Sequence, residues 1–244
     1  MKSAAVVCRS TLFALAQAII TPPFALVALC TFAARPMTRY RIVSAWSRTL
    51  VWLARVLCGI RYRILGAEHL LQSPCIVLSK HQSTWETLAY QVVFPPQVWV
   101  LKRELLDIPF FGWGLRMMSP ISIDRGSGMR ALRQILEQGR DRLAQGFWIV
   151  IFPEGTRTTP GQRGKYQIGG AWLATQTNTP VLPVAVNAGT LWPKRSFLKY
   201  PGIVTISIGA LLDSRGRSAE QLNQAAEAWI ETEMQRIGIP GAAA

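Results

Sequence analysis

Acidic residues are absent from the first 67 residues of this sequence, although the same stretch contains nine lysines and arginines. The chain has 244 residues, of which 50% are hydrophobic and only 16% are charged, with 27 Lys and Arg against 13 Asp and Glu. This composition excludes a disordered chain and is unusually apolar for a cytosolic enzyme. Because the positive charge is concentrated where the chain is most apolar, it favours an anionic membrane surface over nucleic acid as a partner.

Several patterns of known chemistry are also missing. The four cysteines form no C-x-x-C pair and are joined by no paired histidine spacing, so neither a zinc site nor a disulfide framework is indicated. The sequence contains no P-loop and no G-x-S-x-G motif, which disfavours a serine acyl-enzyme. An acyl-enzyme through Cys75 or Ser83 therefore has little support, and no nucleic-acid-binding motif is present.

The apolar stretch from Ser10 to Ala34 carries no charge and is bracketed by arginines. A continuous helix over these residues would be roughly 37 Å long, enough to cross a bilayer. Pro22 and Pro23 fall in its middle, so we predict two half-helices that enter one leaflet as a hairpin. The flanking arginines predict that both ends face the cytoplasm. A single spanning helix and a cleaved signal peptide are the alternatives.

Residues 43–58 form a basic amphipathic stretch that follows the apolar segment. Its apolar side chains recur at helical spacing, at Val43, Trp46, Leu50, Leu53 and Leu57. We therefore divide the chain into a membrane anchor, residues 1–59, and a second domain, residues 60–244.

Short apolar strands alternate with helices from about residue 60 onward. Strands are predicted at residues 61–65, 75–79, 98–101, 121–124, 148–152, 181–186 and 204–208, and helices at 84–93, 129–145, 169–177 and 219–237. Several strands are continuous apolar runs, which indicates a sheet covered on both faces. The pattern predicts one α/β domain with a mostly parallel central sheet flanked by helices.

The predicted strand 75–79 runs directly into His81 and Glu86. A histidine in a loop at a strand end suits a general base, because its ordinary pKa of about 6.5 lies near neutral pH. Glu86 can hold the other ring nitrogen only if His81 precedes the helix, since five residues of straight helix would separate the two side chains by about 140°. A structural histidine is the alternative interpretation.

Two further strand ends carry groups suited to phosphate. The run Phe152–Arg157 supplies a glycine for close backbone approach, the Thr156 hydroxyl and the planar guanidinium of Arg157. Arg125 follows the predicted strand 121–124 and precedes a glycine turn at a helix start, where anions can bind. An ordinary capped turn with a solvated arginine is the alternative for the first run.

In combination, these blocks resemble the glycerolipid acyltransferase family, in particular its 1-acyl-glycerol-3-phosphate acyltransferases of the bacterial kind. The segment from His81 to Glu86 is similar to the family's His-x4-Asp motif, with glutamate in place of aspartate. The second, third and fourth family blocks resemble residues 119–125, 152–157 and 181–187. The resemblance covers about residues 60–210.

This resemblance implies transfer of a fatty acyl group from acyl-CoA or acyl-carrier protein to the free hydroxyl of lysophosphatidic acid. It implies His81 as the base, Glu86 as its orienting carboxylate, and Lys102 or backbone N–H groups near it as the donors that stabilise the oxyanion. The implied acceptor-binding residues are Arg125, Glu154, Gly155, Thr156 and Arg157. Glu154 repels phosphate, so we expect it to bind a hydroxyl or to orient an arginine.

The resemblance also implies the cytoplasmic face of the inner (plasma) membrane as the location. Such chemistry needs no metal and no tightly bound cofactor. Two alternatives stay open at this point: another lysolipid acceptor, such as a lyso-ornithine lipid, or a membrane lipid-binding protein without catalytic activity.

Overall fold

Two long helices form the N-terminal part of the structure. The structure is a computed structural model that describes residues 4–238, apart from the side chain of Arg125. Helix α1 spans Ala4–Cys30 and helix α2 spans Pro36–Cys58, and the two helices pack against each other.

Helix α1 continues through Pro22 and Pro23, so the predicted break into two half-helices is wrong. Buried contacts on both sides of the prolines account for this, because Phe13 and Ala28 are almost fully buried. Just before the prolines, the indole of Trp46 in α2 donates a hydrogen bond of 3.1 Å to the hydroxyl of Thr21. The stabilisation from packing along the helix therefore outweighs the cost of the two backbone hydrogen-bond donors that the prolines remove.

Helix α2 confirms the amphipathic prediction, but its apolar face is turned inward. Val43 and Leu50 are buried in the core, and Ser47 accepts a hydrogen bond of 2.6 Å from the Gln91 amide of the following helix. The apolar face thus packs against the protein. The helix ends at Gly59, whose φ of +72° is a left-handed conformation that favours glycine.

A seven-stranded sheet follows, with strand order β1-β7-β6-β2-β5-β3-β4. Its strands are β1 (Ile60–Leu65), β2 (Ile76–Ser79), β3 (Gln97–Lys102), β4 (Ile121–Ile123), β5 (Trp148–Ile151), β6 (Val181–Val186) and β7 (Gly202–Ile208). All pairings are parallel except β6 with β7. The predicted fold class, a mostly parallel sheet flanked by helices, is confirmed.

Five helices accompany the sheet: α3 (Trp85–Val93), α4 (Phe111–Met117), α5 (Met129–Ala144), α6 (Gly169–Thr177) and α7 (Ala219–Ile237). Four were predicted, and the Ser218–Gln221 capping box at the start of α7 is present. Helix α4 was missed because its seven residues include two glycines, which lower helix propensity.

The order of the strands determines where the loops meet. Strands β2, β5 and β6 are buried along their whole length, and β2 lies between β6 and β5. Because β2 and β5 are parallel neighbours, the loops that follow them leave the same edge of the sheet. The expected boundary at residue 59 falls between α2 and β1, yet Phe13 and Leu50 belong to the same buried cluster as the sheet.

Candidate active site

His81 lies in the loop between β2 and α3, as the sequence predicts. Its Nδ1 is 2.9 Å from Oε1 of Glu86, which projects back from the first turn of α3. The same oxygen accepts the backbone N–H groups of Gln82 and Ser83 at 2.7 and 2.6 Å. When Nδ1 donates to this carboxylate, Nε2 is the ring nitrogen that can accept a proton. The Glu86 side chain is fully buried, whereas 15% of the His81 side chain is exposed.

The loop after β5 holds His81 from the other side. The imidazole stacks on the ring of Phe152, with centroids 3.9 Å apart and planes at 18°. The His81 N–H donates to Oε2 of Glu154 at 3.1 Å, and its C=O accepts the N–H of Thr158 at 2.7 Å. Both the ring and the backbone of His81 are therefore oriented by residues more than seventy positions away.

A mostly apolar cavity of about 330 Å³ opens beside His81. Side chains from four helices and β3 contribute to its wall, among them Phe24, Val43, Leu88, Trp99, Phe111 and Met118. One face of α3 also lines it, from Thr84 to Gln91. The seven helical steps from Thr84 to Gln91 correspond to roughly 10 Å, so this wall is long enough to contact several methylene groups of an aliphatic chain.

Arg157 and Gly155 bring the loop after β5 to this cavity. Nη1 of Arg157 donates a hydrogen bond of 2.6 Å to the hydroxyl of Thr84, three residues after His81. Lys194, which no motif indicated, donates to the Arg157 carbonyl at 2.6 Å and lies 3.5 Å from the exposed Thr156 hydroxyl. A second cation therefore borders this loop.

Two residues from the expected set lie elsewhere. The Glu154 carboxylate is buried and turned away from the cavity, where it pairs with Lys80 at 2.8 Å. Its oxygens accept hydrogen bonds from donors inside the protein, and the expected roles in binding the acceptor or in orienting an arginine stay predictions. Lys102 is exposed at the end of β3 and does not line the cavity. The Arg125 side chain lies outside the described structure, and its backbone begins a 3₁₀ turn after β4.

Neither Cys75 nor Ser83 is placed for an acyl-enzyme. Cys75 is fully buried in the core, and burial raises the pKa of its thiol. Ser83 is buried as well, and its hydroxyl donates to the Trp192 carbonyl at 2.7 Å. Across residues 4–238, no group of three or more His, Cys, Asp or Glu side chains could hold a metal ion.

Comparison with known proteins identifies the family. The model of the family described as Acyltransferase matches residues 61–187, which include His81, Glu86 and the loop that carries Arg157. The chain belongs to the acyltransferase family.

Known proteins are similar to this acyltransferase over most of its length. It is 49% identical to a 1-acyl-sn-glycerol-3-phosphate acyltransferase of Pseudomonas aeruginosa over 203 residues, 82% of this chain and 79% of that protein. The alpha form of the same enzyme from Mus musculus is 30% identical over 66% of this chain, and the match spans only 56% of the mouse protein. The crystal structure of a 1-acyl-sn-glycerophosphate acyltransferase from Thermotoga maritima shares the fold, with a TM-score of 0.80 over 97% of this chain and 98% of that one, at 23% identity.

Proposed function

We propose that this acyltransferase moves a fatty acyl group from an acyl thioester to the free hydroxyl of lysophosphatidic acid, giving phosphatidic acid. The observation that carries the proposal is the His81–Glu86 pair, 2.9 Å apart, beside a mostly apolar cavity. The names of the Pseudomonas and mouse relatives support lysophosphatidic acid as the acceptor. The donor is acyl-CoA or acyl-carrier protein.

The reaction needs one proton to move twice. Nε2 of His81 takes the proton from the acceptor hydroxyl while its oxygen attacks the thioester carbonyl. The tetrahedral intermediate then expels the thiolate, which receives the same proton from His81. Glu86 fixes the ring orientation and stabilises the imidazolium formed between the two transfers.

The cavity suits the acyl chain of the donor. Each methylene that leaves water for an apolar wall contributes about 0.8 kcal/mol, so a long chain could be bound largely by burial. Arg157, beside His81 and half-buried, is suited to the acceptor phosphate because its guanidinium can form two parallel bonds. The family resemblance further predicts that Arg125, Gly155 and Thr156 bind the acceptor and that Lys102 stabilises the oxyanion.

Helix α1 supports attachment to a membrane. Of the helices within residues 4–238, it is the one that is long and apolar enough to cross a bilayer, by length and composition. Its large apolar side chains include Leu15 and Ile19, which are 55% and 70% exposed. We propose residues 1–59 as the anchor, residues 60–244 as the catalytic domain, and the cytoplasmic face of the inner membrane as the location, because the basic, acid-free anchor suits anionic lipids.

A product assay tests the function directly. The purified full chain is incubated with labelled acyl-CoA or acyl-carrier protein and vesicle-borne lysophosphatidic acid, and the lipid products are identified by mass spectrometry. We expect labelled phosphatidic acid. Product formed only with a lyso-ornithine lipid or another lysophospholipid would reassign the acceptor. Binding of lysolipid without turnover of any acceptor would indicate a non-catalytic lipid-binding protein.

A further inference from the structure

A buried lysine lies next to His81 in sequence. The Lys80 side chain is only 1% exposed, and its ammonium donates to Oε1 of Glu154 and Oε1 of Glu231, both at 2.8 Å, and to the Gln162 carbonyl at 3.0 Å. Lysines are rarely buried unless they are paired. These three bonds use every donor of the ammonium group.

Glu154 connects this lysine to the backbone of His81. Its Oε2 accepts the His81 N–H at 3.1 Å, and its Oε1 accepts both the Lys80 ammonium and the Gly164 N–H, the latter at 3.0 Å. The Thr158 hydroxyl, 3.3 Å from Oε2, also donates to the His81 carbonyl. The carboxylate is therefore a junction between the loop after β2 and the loop after β5.

Glu231 extends the junction to the C-terminal helix. It projects from α7 and accepts the Tyr166 hydroxyl at 2.9 Å in addition to Lys80. Two carboxylates from distant segments thus share one buried ammonium group beside the histidine. A buried ion cluster of this kind contributes little net stability, because desolvation offsets its attraction, but it strongly disfavours arrangements that leave a charge unpaired.

We propose that Lys80, Glu154 and Glu231 are positioning residues that fix the His81 backbone so that its ring meets Glu86. The proposal rests on the acyl transfer proposed above, and it assigns Glu154 to the support of His81 rather than to the acceptor. A displacement of 1 Å at a catalytic group can cost about 10²-fold in rate. Loss of Glu231 would remove one of the three acceptors that hold the Lys80 ammonium in place. Because Lys80 also holds Glu154, the position of the His81 backbone would then be less well fixed.

Helix α7 offers a matched pair of variants. Glu227 and Glu231 lie one turn apart, both side chains are 18% exposed, and each pairs with a cation. The partner of Glu227 is Arg163, at 2.7 Å, whose side chain is 64% exposed, so this surface ion pair contributes little compared with the buried cluster. With the full chain, we expect Glu231→Gln to lower kcat by about 10-fold or more, with an unchanged KM for lysophosphatidic acid. Glu227→Gln should change neither constant.

A spectroscopic readout reports on His81 without turnover. The chain has two histidines, so ¹⁵N-histidine labelling of the full chain in detergent micelles gives signals from two rings. His69, whose Nδ1 lies 2.9 Å from the Ile208 carbonyl, is the internal reference. Glu231→Gln should shift the His81 signals and leave those of His69 in place, whereas Glu227→Gln should shift neither. Glu231→Asp keeps the charge and should recover part of the loss.

Wild-type kcat and unchanged His81 signals in Glu231→Gln would overturn the proposal. An equal loss in Glu227→Gln would also overturn it, because the effect would then belong to α7 in general. If Glu154→Gln raised only the KM for lysophosphatidic acid, Glu154 would return to acceptor binding. If the wild-type chain acylated no lysophosphatidic acid while Glu231→Gln still shifted the His81 signals, the proposed acceptor would fail and the positioning role would stand.

Discussion

Replacement of Glu86 by glutamine tests the His81–Glu86 pair most sharply. Oε1 of Glu86 accepts three hydrogen bonds of 2.6–2.9 Å, one of them from the His81 ring. An amide oxygen could still accept these bonds, but Glu86→Gln removes the negative charge that faces the imidazolium. The variant therefore separates orientation of the ring from stabilisation of its charged form.

The expected loss in rate follows from the distance between the Glu86 carboxylate and the His81 imidazolium. Charge centres roughly 4 Å apart interact by about 4 kcal/mol at an effective dielectric constant of 20, which corresponds to about 10³-fold in rate. An effective dielectric constant well below that of water is appropriate because the Glu86 carboxylate is fully buried. We expect Glu86→Gln to lower kcat by about 10²–10³-fold. Glu86→Asp keeps the charge and loses only reach, so its loss should be much smaller.

Stability should fall as well in Glu86→Gln. Oε2 of Glu86 is buried without a hydrogen-bond partner among the described residues. An amide nitrogen at that position would be a buried donor without an acceptor, at a cost of about 1–3 kcal/mol. Thermal unfolding should show a lowered Tm that is independent of the catalytic loss.

The assay measures initial rates of phosphatidic acid formation by the purified full chain. Glu220→Gln is the control, because Glu220 also lies in the first turn of a helix but is exposed and distant in sequence from the site. Equal and small losses in Glu86→Gln and Glu86→Asp, matching the control, would refute the reasoning. Glu86 would then only stabilise the N-terminus of α3.

Three further predictions concern the base, the phosphate site and the membrane surface. His81→Ala should lower turnover by about 10²–10⁴-fold while the variant keeps its fold and acceptor binding, and more than about a tenth of the wild-type rate would contradict a general base. Arg157→Ala should weaken lysophosphatidic acid binding by about 10- to 150-fold and have little effect on the binding of a neutral monoacylglycerol. Arg157→Lys should recover part of the lost affinity. Equal losses with both acceptors would mean that Arg157 only supports the loop. Ile19→Glu changes the exposed face of α1 and should reduce co-sedimentation of the protein with anionic vesicles. Ile203→Glu changes a residue of β7 that is 51% exposed and should not reduce it. Equal binding of the two variants to vesicles would argue against α1 as the anchor.

The sequence by itself determined most of the secondary structure around the sheet and the local part of the site. Apolar patterns located all seven strands and four of the five helices that accompany the sheet. The His81–Glu86 contact was predictable because it depends on one strand end and one helix start within six residues. Such features follow from local periodicity and hydrogen bonding, which neighbouring residues specify.

Only the tertiary structure decided the features that join distant segments. Pro22 and Pro23 predicted a break, but buried contacts with other helices hold α1 continuous. Glu154 was expected at the acceptor, but its carboxylate pairs with the buried Lys80, which Glu231 of a distant helix also contacts. The cavity is assembled from four helices and a strand. No local pattern encodes these contacts, because whether a charged side chain faces substrate or a buried partner depends on which segments the fold brings together.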